Sequence, residues 1–424
     1  MAITATVMVV GLVVAAVVGI SPQWGTSPRP VAATTTVRGD PAGLPPPVGL
    51  ATAPPMGWNG FNRFYVHVDA ARVEAAASAL VASGMKAAGY VYVNLDGGWG
   101  LRERNADGTL QPDPHKFPLG IRPVADYVHS LGLKFGIYTS AGTRNCAGTS
   151  AGSYGHYWQD AATFASWNID YLKLDWCEVP YGNYPGMTHE QVAQLLATDM
   201  GYALTATNRP IVYDVNGRPD GLPWRWARRL ANMWRTTPDI QDKYASMVWN
   251  FTHNVSHFDA AGPNGWNDPD MLEVGNGGMS VTEYRSEFSL WAEMAAPLIA
   301  GNDLTAMSPM TRNILTNEAV IAVDQDPMGF QGYSVASANG RWVLTKPLAN
   351  GDRAVVLFNQ TDKPVTITTS VTELGLARGP EYMLVDLWNG TASDTTDVVS
   401  AIVAAHGVVM YRISESDPPV TFSP

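Results

Sequence analysis

A lysine and an aspartate stand two residues apart within the apolar segment YLKLDWC, residues 171–177. Side chains alternate along a strand, so Lys173, Asp175 and Cys177 are expected on one face of a short buried strand. The neighbouring ammonium favours the ionised carboxylate, and we expect it to lower the pKa of Asp175. An ionised carboxylate can act as a nucleophile, which its protonated form cannot do. A salt bridge at the end of a strand is the alternative interpretation of the same residues.

A second carboxylate, Asp239, follows Arg235 by four residues in the segment RTTPD. Two carboxylates that face each other across a pocket are the minimum apparatus for glycoside hydrolysis. Their separation decides whether the anomeric configuration is retained or inverted, and the sequence does not give that separation. Asp175 and Asp239 are therefore the candidate catalytic pair.

Strand and helix patterns alternate along residues 54–332, and this part of the chain must position the carboxylates. The predicted strands span residues 55–58, 90–96, 134–138, 171–175, 210–215, 230–235, 266–271 and 297–300. The predicted helices span residues 69–83, 121–131, 157–167, 190–204, 281–294 and 311–322, with Asp69 as an N-cap. Strands that alternate with helices imply a parallel sheet, and eight such units favour a (β/α)8 TIM barrel.

The pattern changes after about Gly332, where short alternating runs are separated by turn signals. Residues 342–346 and 354–358 are two such runs, and Asn389-Gly390 is a typical turn. Residues 334–424 therefore predict a C-terminal antiparallel β-sandwich domain.

The N-terminal residues 1–20 are apolar, and residues 7–20 contain no charged side chain. This length suits the hydrophobic region of an export signal better than a full membrane span. The first basic residue is Arg29, so the positively charged start of a usual signal peptide is missing. A cleaved signal peptide and a retained membrane anchor therefore both stay open. Residues 21–53 are rich in Pro, Thr and Ala, which predicts a linker. We expect a secreted or extracytoplasmic protein.

Composition excludes several classes of function. The chain carries 27 Lys and Arg against 38 Asp and Glu, a formal net charge of −11, which argues against nucleic acid partners and electrostatic membrane docking. Its eight histidines show no HExxH motif or paired-ligand spacing, so we predict neither a metal nor a cofactor.

Cys146 and Cys177 are the two cysteines, and in an exported protein such a pair suggests a disulfide; two buried free thiols are the alternative.

Parallel barrels place functional side chains at the carboxyl ends of their strands. Most of the predicted strand ends carry a charged group. The candidates at these positions are Trp58, Asp96, Tyr138, Lys173, Asp175, Asp214, Asn216, Arg235, Asp268 and Asp270.

Six motifs in this order resemble those of glycoside hydrolase family 27, which comprises α-galactosidases and α-N-acetylgalactosaminidases. The motifs are MGWN at 56–59, LDGGW at 95–99, GIY at 136–138, YLKLDWC at 171–177, WRTTPD at 234–239 and GWNDPDML at 265–272. The resemblance covers the chain from Pro54 to its C-terminus, including the β-sandwich.

The resemblance implies a retaining double displacement, with Asp175 as the nucleophile and Asp239 as the general acid and then the base. It also implies a Cys146–Cys177 disulfide beside the nucleophile and an oligo- or polysaccharide substrate. The substrate-binding residues that it implies are Trp58, Asp96, Tyr138, Cys146, Lys173, Asn216, Arg235 and Asp270.

Two departures from the family pattern concern the sugar. Where the family usually has DDCW, this chain has Asp96-Gly97-Gly98-Trp99, so a carboxylate that helps to hold the 4- and 6-hydroxyls of galactose is absent. Where α-galactosidases have a glutamate in a CEW motif, this chain has Asn216. The expected activity is hydrolysis of terminal α-galactosides. The family alternatives are a β-L-arabinopyranosidase and an isomaltose-releasing hydrolase that acts on dextran.

Two alternative functions lie outside this family, a serine hydrolase and a non-catalytic carbohydrate-binding protein. The segment GTSAG at 148–152 matches the G-x-S-x-G motif of serine hydrolases, but the preceding predicted strand ends well before it, at Tyr138. A non-catalytic carbohydrate-binding protein would keep the sugar contacts and lose a carboxylate, whereas both carboxylates are present here. The oligomeric state is left open by the sequence.

Overall fold

The computed structural model describes residues 49–217 and 219–416. Eight parallel strands form one curved sheet in the order β7-β6-β5-β4-β3-β2-β1-β8. They are β1 Met56–Asn59, β2 Tyr92–Leu95, β3 Lys134–Ser140, β4 Tyr171–Asp175, β5 Val212–Val215, β6 Met233–Arg235, β7 Trp266–Asp268 and β8 Leu298–Ala300. Leu272, after β7, bridges to Ala300 in β8 and so closes the sheet into a barrel. The predicted TIM barrel is confirmed.

Nine helices of this described part surround the barrel or connect its strands. They are α1 Phe61–Phe64, α2 Ala70–Ala82, α3 Arg122–Ser130, α4 Tyr157–Ser166, α5 His189–Ala206, α6 Tyr244–Asn254, α7 Val281–Glu293, α8 Pro309–Leu315 and α9 Glu318–Asp324. Asp69 caps α2 as expected, because its side chain accepts from Arg72 N at 2.8 Å.

Two helix predictions need correction. The predicted helix at 311–322 is split into α8 and α9, because the Asn317 side chain accepts from Val320 N and starts a new helix. The helix α6 was not predicted. Its N-cap is Lys243, whose side chain cannot accept a hydrogen bond, so the usual start signal is missing.

The C-terminal strands form a six-stranded antiparallel sheet in the order β14-β13-β16-β11-β10-β9, and β12 pairs with β15 in a second sheet. They are β9 Tyr333–Ala338, β10 Arg341–Pro347, β11 Arg353–Asn359, β12 Val365–Ser370, β13 Tyr382–Asp386, β14 Ala392–Thr395, β15 Val398–Val403 and β16 Val408–Glu415. The predicted antiparallel sandwich is confirmed.

The larger C-terminal sheet is buried on both faces. Val343 and Val355 belong to the core between the two sheets, whereas their neighbours Leu344 and Val356 join the core of the barrel. This alternation follows from the period of two along a strand. The sandwich therefore packs firmly against the barrel rather than hanging from a linker.

The expected signal or anchor at 1–20, most of the expected linker at 21–53 and residues 417–424 of the expected sandwich lie outside the described residues. Leu50 and Ala51, at the end of the expected linker, pack against the barrel, and Ala51 O accepts from Trp266 Nε1 at 2.7 Å. Within the described ranges, the helices are too short or too polar to cross a membrane.

Candidate active site

A cavity of about 120 Å³, here called the main cavity, lies at the carboxyl ends of the barrel strands. It brings together side chains from separate strand ends, as expected for this fold. The predicted residues that line it are Asp96, Tyr138, Cys146, Lys173, Asp175, Arg235, Asp239 and Asp270.

Asp175 ends β4 and is buried, with 8% of its surface exposed. Its Oδ2 accepts a hydrogen bond from the Tyr138 hydroxyl at 2.7 Å. Its Oδ1 accepts from Asn216 Nδ2 at 2.9 Å and from Trp176 N at 2.8 Å. Three donors therefore fix the orientation of this carboxylate and stabilise its charged form.

The pKa of Asp175 is raised above its ordinary value, chiefly by burial. Lys173 and the Tyr138 hydrogen bond act to lower this pKa, and the charge of Asp239 acts to raise it. The expected effect of Lys173 has the right sign, but the expectation of a lowered pKa is wrong. Burial raises the pKa of this carboxylate by more than the nearby ammonium of Lys173 lowers it.

Asp239 lies four residues beyond the end of β6, and its side chain is 83% exposed. Its Oδ1 accepts from a terminal nitrogen of Arg235 at 2.8 Å, while Arg235 itself is 2% exposed. The exposed carboxylate of Asp239, held by the buried guanidinium of Arg235, therefore lines the main cavity. This position suits exchange of protons with a leaving group and with water.

Asp96 and Lys173 form an ion pair in the main cavity, with Lys173 Nζ 2.9 Å from Asp96 Oδ2. Asn59 Nδ2 donates to the same oxygen at 2.7 Å. Burial acts to lower the pKa of Lys173, but the charges of Asp96 and Asp175 outweigh it and hold the pKa above its ordinary value. Lys173 is therefore a charged hydrogen-bond donor in the wall of the main cavity.

Arg235 connects the two sides of the main cavity, because it also contacts Asp270 Oδ2 at 2.5 Å. Asp270 has a φ of 82°, a left-handed conformation that is uncommon for a residue with a side chain and typical of functional sites. Its Oδ2 also accepts from Ile240 N at 2.8 Å. Burial raises the pKa of Asp270 to about 6, although Arg235 acts to lower it.

Two strand-end candidates, Asp214 and Asp268, lie below the main cavity, around a small cavity of about 20 Å³. Asp214 Oδ2 accepts from the Tyr171 hydroxyl at 2.8 Å. Burial raises the pKa of Asp214 to about 6, and it does the same for Asp268. These carboxylates support Lys173 and Arg235 from inside the barrel rather than lining the main cavity.

Two predicted substrate-binding residues do not line the main cavity. Trp58 is 1% exposed, and its Nε1 donates to Asn302 O at 2.8 Å, so the ring is a packed part of the barrel core. The predicted contact of Trp58 with a sugar stays a prediction. Asn216 lines an adjoining cavity of about 500 Å³ together with Asp175 and Asp239.

The structure contains the predicted disulfide between Cys146 and Cys177, with Cα atoms 5.0 Å apart. Cys146 Sγ lies 2.9 Å from Asp175 Oδ2. A disulfide sulfur carries no hydrogen, so this is a packing contact at the edge of the Asp175 carboxylate. Among the described residues, Cys146, Asp175 and Cys177 form a compact group of potential metal ligands, but the disulfide leaves the carboxylate as its sole ligand.

Several lining residues escaped the sequence analysis. They are Phe61, Asn62, Tyr65, Asn145, Ala147 and Met271. Phe61, Asn62 and Tyr65 follow β1 directly, so a search of the loops after each predicted strand could have found them.

The serine in GTSAG does not stand on a nucleophile elbow. β3 ends at Ser140, and Ser150 lies in a loop with its backbone N–H bonded to Asn145 Oδ1 at 3.1 Å. Ser150 is also 5% exposed. This geometry rejects the serine hydrolase alternative.

Comparison with known proteins gives the same family for both domains. The family model described as alpha galactosidase A matches residues 53–326, and that of the alpha galactosidase C-terminal beta sandwich domain matches residues 338–413. The alpha-galactosidase of Cyamopsis tetragonoloba is 43% identical over 367 residues, covering 86% of this chain and 87% of that protein.

Solved structures agree. Alpha-galactosidase I from Mortierella vinacea has a TM-score of 0.82 at 34% identity and covers 87% of this chain and 98% of its own. The alpha-galactosidase of Saccharomyces cerevisiae, solved with raffinose, has a TM-score of 0.79 at 26% identity, with coverage of 88% and 100%. This chain therefore belongs to glycoside hydrolase family 27, the alpha-galactosidase family, and it is a glycosidase.

Proposed function

We propose that this glycosidase hydrolyses terminal α-galactosides with retention of configuration, by double displacement through Asp175. The observation that carries the proposal is the buried carboxylate of Asp175, held by Tyr138 and Asn216 beside the exposed carboxylate of Asp239. The names of the relatives, including an alpha-galactosidase solved with raffinose, support the choice of sugar.

In the first step, Asp175 attacks the anomeric carbon and forms a glycosyl ester. Asp239 gives its proton to the glycosidic oxygen, and the bond between that oxygen and the anomeric carbon breaks. In the second step, Asp239 takes a proton from water, the water oxygen attacks the anomeric carbon, and Asp175 leaves as a carboxylate. The free sugar then has the configuration of the substrate.

NMR of the first-formed sugar tests this proposal. We expect nitrophenyl α-galactoside to release α-galactose first, and Asp175→Ala to lose turnover while its circular dichroism stays that of the parent. First-formed β-galactose would disprove double displacement. A folded Asp175→Ala variant with near-parental turnover would disprove the role of Asp175.

A second candidate activity follows from Gly97, which lines the main cavity at the position where the family usually has an aspartate. The cavity therefore has one carboxylate fewer than the family pattern. A pyranoside without a 6-hydroxymethyl group, such as a β-L-arabinopyranoside, needs fewer acceptors there. Nitrophenyl α-galactoside, α-N-acetylgalactosaminide, β-L-arabinopyranoside and α-glucoside, assayed together with dextran, separate these activities. The highest kcat/KM for any sugar other than α-galactoside would overturn the first choice.

We also propose that the protein is exported, on the basis of the apolar residues 1–20. The Cys146–Cys177 disulfide is compatible with an oxidising compartment. Fractionation of cells that express the full chain, with sequencing of the mature N-terminus, tests export and cleavage together. Activity confined to the cytoplasm would disprove it.

A further inference from the structure

Two further cavities share walls with the main cavity. The first, of about 500 Å³, is lined by Asp175, Asn216 and Asp239. A leaving group must pass the general acid, so under the proposed function this first cavity receives the leaving group. The second, of about 340 Å³, is here called the side cavity.

The side cavity shares Phe61, Asn62 and Tyr65 with the main cavity, and its described lining includes neither catalytic carboxylate. Its other walls are largely polar and include the amide of Gln241 and the charged side chains of Arg63, Asp242 and Glu273. Amides beside aromatic rings are the groups that bind pyranose sugars, through hydroxyls and through ring faces.

Tyr65 stands at the junction of the two cavities with 54% of its surface exposed. Its backbone has φ 53° and ψ −131°, a combination that residues with a side chain rarely adopt. Its ring lies 4.9 Å from that of Phe61, measured between centroids. Strained residues persist mainly where function requires their position, and here the strain presents an aromatic ring to solvent.

Gly97 lies in the wall of the main cavity. A Cβ atom on Gly97 would lie 3.5 Å from Asn145 Nδ2 and 3.6 Å from Tyr138 Cε1, which are ordinary contacts. Packing therefore does not require glycine at 97. The next residue, Gly98, packs against Val66, where a Cβ would come within 2.8 Å of Val66 Cα. The residue that follows Gly97 thus contacts Val66, the residue that follows Tyr65.

We propose that the side cavity is a subsite for a second sugar ring, linked to the galactose of the main cavity on the side away from the leaving group. Tyr65 stacks on the face of this second ring. The inference rests on the proposed function, and it extends the substrate class to galactosides whose galactose carries a further sugar. The enzyme would release such a pair as an intact disaccharide.

The test uses nitrophenyl α-galactosides that carry a β-linked glucose on O3, O4 or O6. The β-linkage protects the outer bond from an α-specific enzyme, so nitrophenol can arise only from the inner bond. We expect at least one of these substrates to be cleaved with a kcat/KM within about tenfold of the unsubstituted galactoside, with the disaccharide seen intact by chromatography. Failure of all three while the unsubstituted galactoside is cleaved would overturn the subsite alone. Failure of the unsubstituted galactoside would overturn the proposed function.

A Tyr65→Ala variant tests the stacking residue. Loss of a ring contact should lower the ratio of kcat/KM for the extended substrate to that for the unsubstituted one about tenfold. Tyr127→Ala, which removes a half-exposed tyrosine of α3, is the matched control and should leave the ratio unchanged. If Tyr65→Ala lowers kcat/KM more for raffinose than for nitrophenyl α-galactoside, the side cavity lies on the leaving-group side. That result would overturn the proposal. An unchanged ratio in Tyr65→Ala would also overturn it.

Discussion

Asn216 donates its Nδ2 hydrogen to Asp175 Oδ1 over 2.9 Å, so an amide side chain holds the carboxylate that is proposed as the nucleophile. The two residues come from the ends of the adjacent strands β5 and β4. Under the proposed function, Asn216 therefore orients the proposed nucleophile, in addition to any contact with the sugar.

We expect Asn216→Ala to lower kcat/KM for nitrophenyl α-galactoside about tenfold to a hundredfold, because a hydrogen bond to a charged group contributes about 1.5–3 kcal/mol. Steady-state kinetics with matched circular dichroism measures this effect. Tyr127→Ala, on helix α3 and outside the lining of both cavities, is the control. An unaltered kcat/KM in Asn216→Ala would contradict the orienting role.

Asp239 should matter most for leaving groups that need a proton. We expect Asp239→Ala to slow cleavage of raffinose at least a hundredfold, and to slow the nitrophenol burst from an activated galactoside much less. Rapid-mixing measurement of that burst isolates the first step. Equal losses in the first step for both substrates would show that Asp239 is not the general acid.

The raised pKa of Asp175 predicts a pH dependence. Because the nucleophile must be ionised, kcat/KM should fall on the acid side at a pH above the ordinary range of aspartate. Tyr138→Phe removes a hydrogen bond that lowers the pKa of Asp175, so the acid limb should move to higher pH. Profiles of kcat/KM for both proteins measure the shift. A limb that moves to lower pH would contradict this account.

Gly97→Asp should restore the missing carboxylate without backbone strain, because a Cβ atom there makes only ordinary contacts. A charged acceptor contributes about 1.5–3 kcal/mol, so we expect kcat/KM for α-galactoside to rise about tenfold to a hundredfold relative to β-L-arabinopyranoside. Gly98→Ala is the contrasting variant. Its φ of 97° and the close approach to Val66 predict a lower melting temperature. A constant substrate ratio in Gly97→Asp would show that position 97 does not select the sugar.

His406 joins the sandwich to the barrel. Its ring stacks on Tyr244, Nδ1 lies 2.8 Å from Glu283 Oε1, and Nε2 lies 2.8 Å from Asp362 Oδ1. Burial acts to lower the pKa of His406, but the hydrogen bonds to Glu283 and Asp362 outweigh it and raise the pKa above 6.5.

A raised histidine pKa stabilises the folded protein fully below about pH 6.5, and this contribution is lost as the pH rises through the folded pKa. We expect His406→Gln to remove about 0.5–1 kcal/mol of stability at pH 5.5 and much less at pH 8.5, a modest effect because Asp362 is exposed. Urea unfolding of both proteins at the two pH values measures it. The same loss at both pH values would contradict a charged bridge.

Strand periodicity and strand-end chemistry were readable from the sequence because they depend on local spacing. A period of two in residues 171–175 placed Lys173 and Asp175 on one face, and the repetition of strand and helix placed their ends at one rim. The order of motifs then indicated the family, and the pair of cysteines together with the resemblance suggested the disulfide.

Depth, burial and loop position were decided by the tertiary structure. Asp214 and Asp268 share strand ends with Asn216 and Asp270 but lie a layer deeper, because residues two apart along a tilted strand face the barrel interior at different heights. The net pKa of Asp175 depends on the burial of its carboxylate by the whole barrel, which no local pattern contains. Tyr65 lines the main cavity together with Gly97, and its neighbour Val66 packs against Gly98, a contact between residues far apart in sequence.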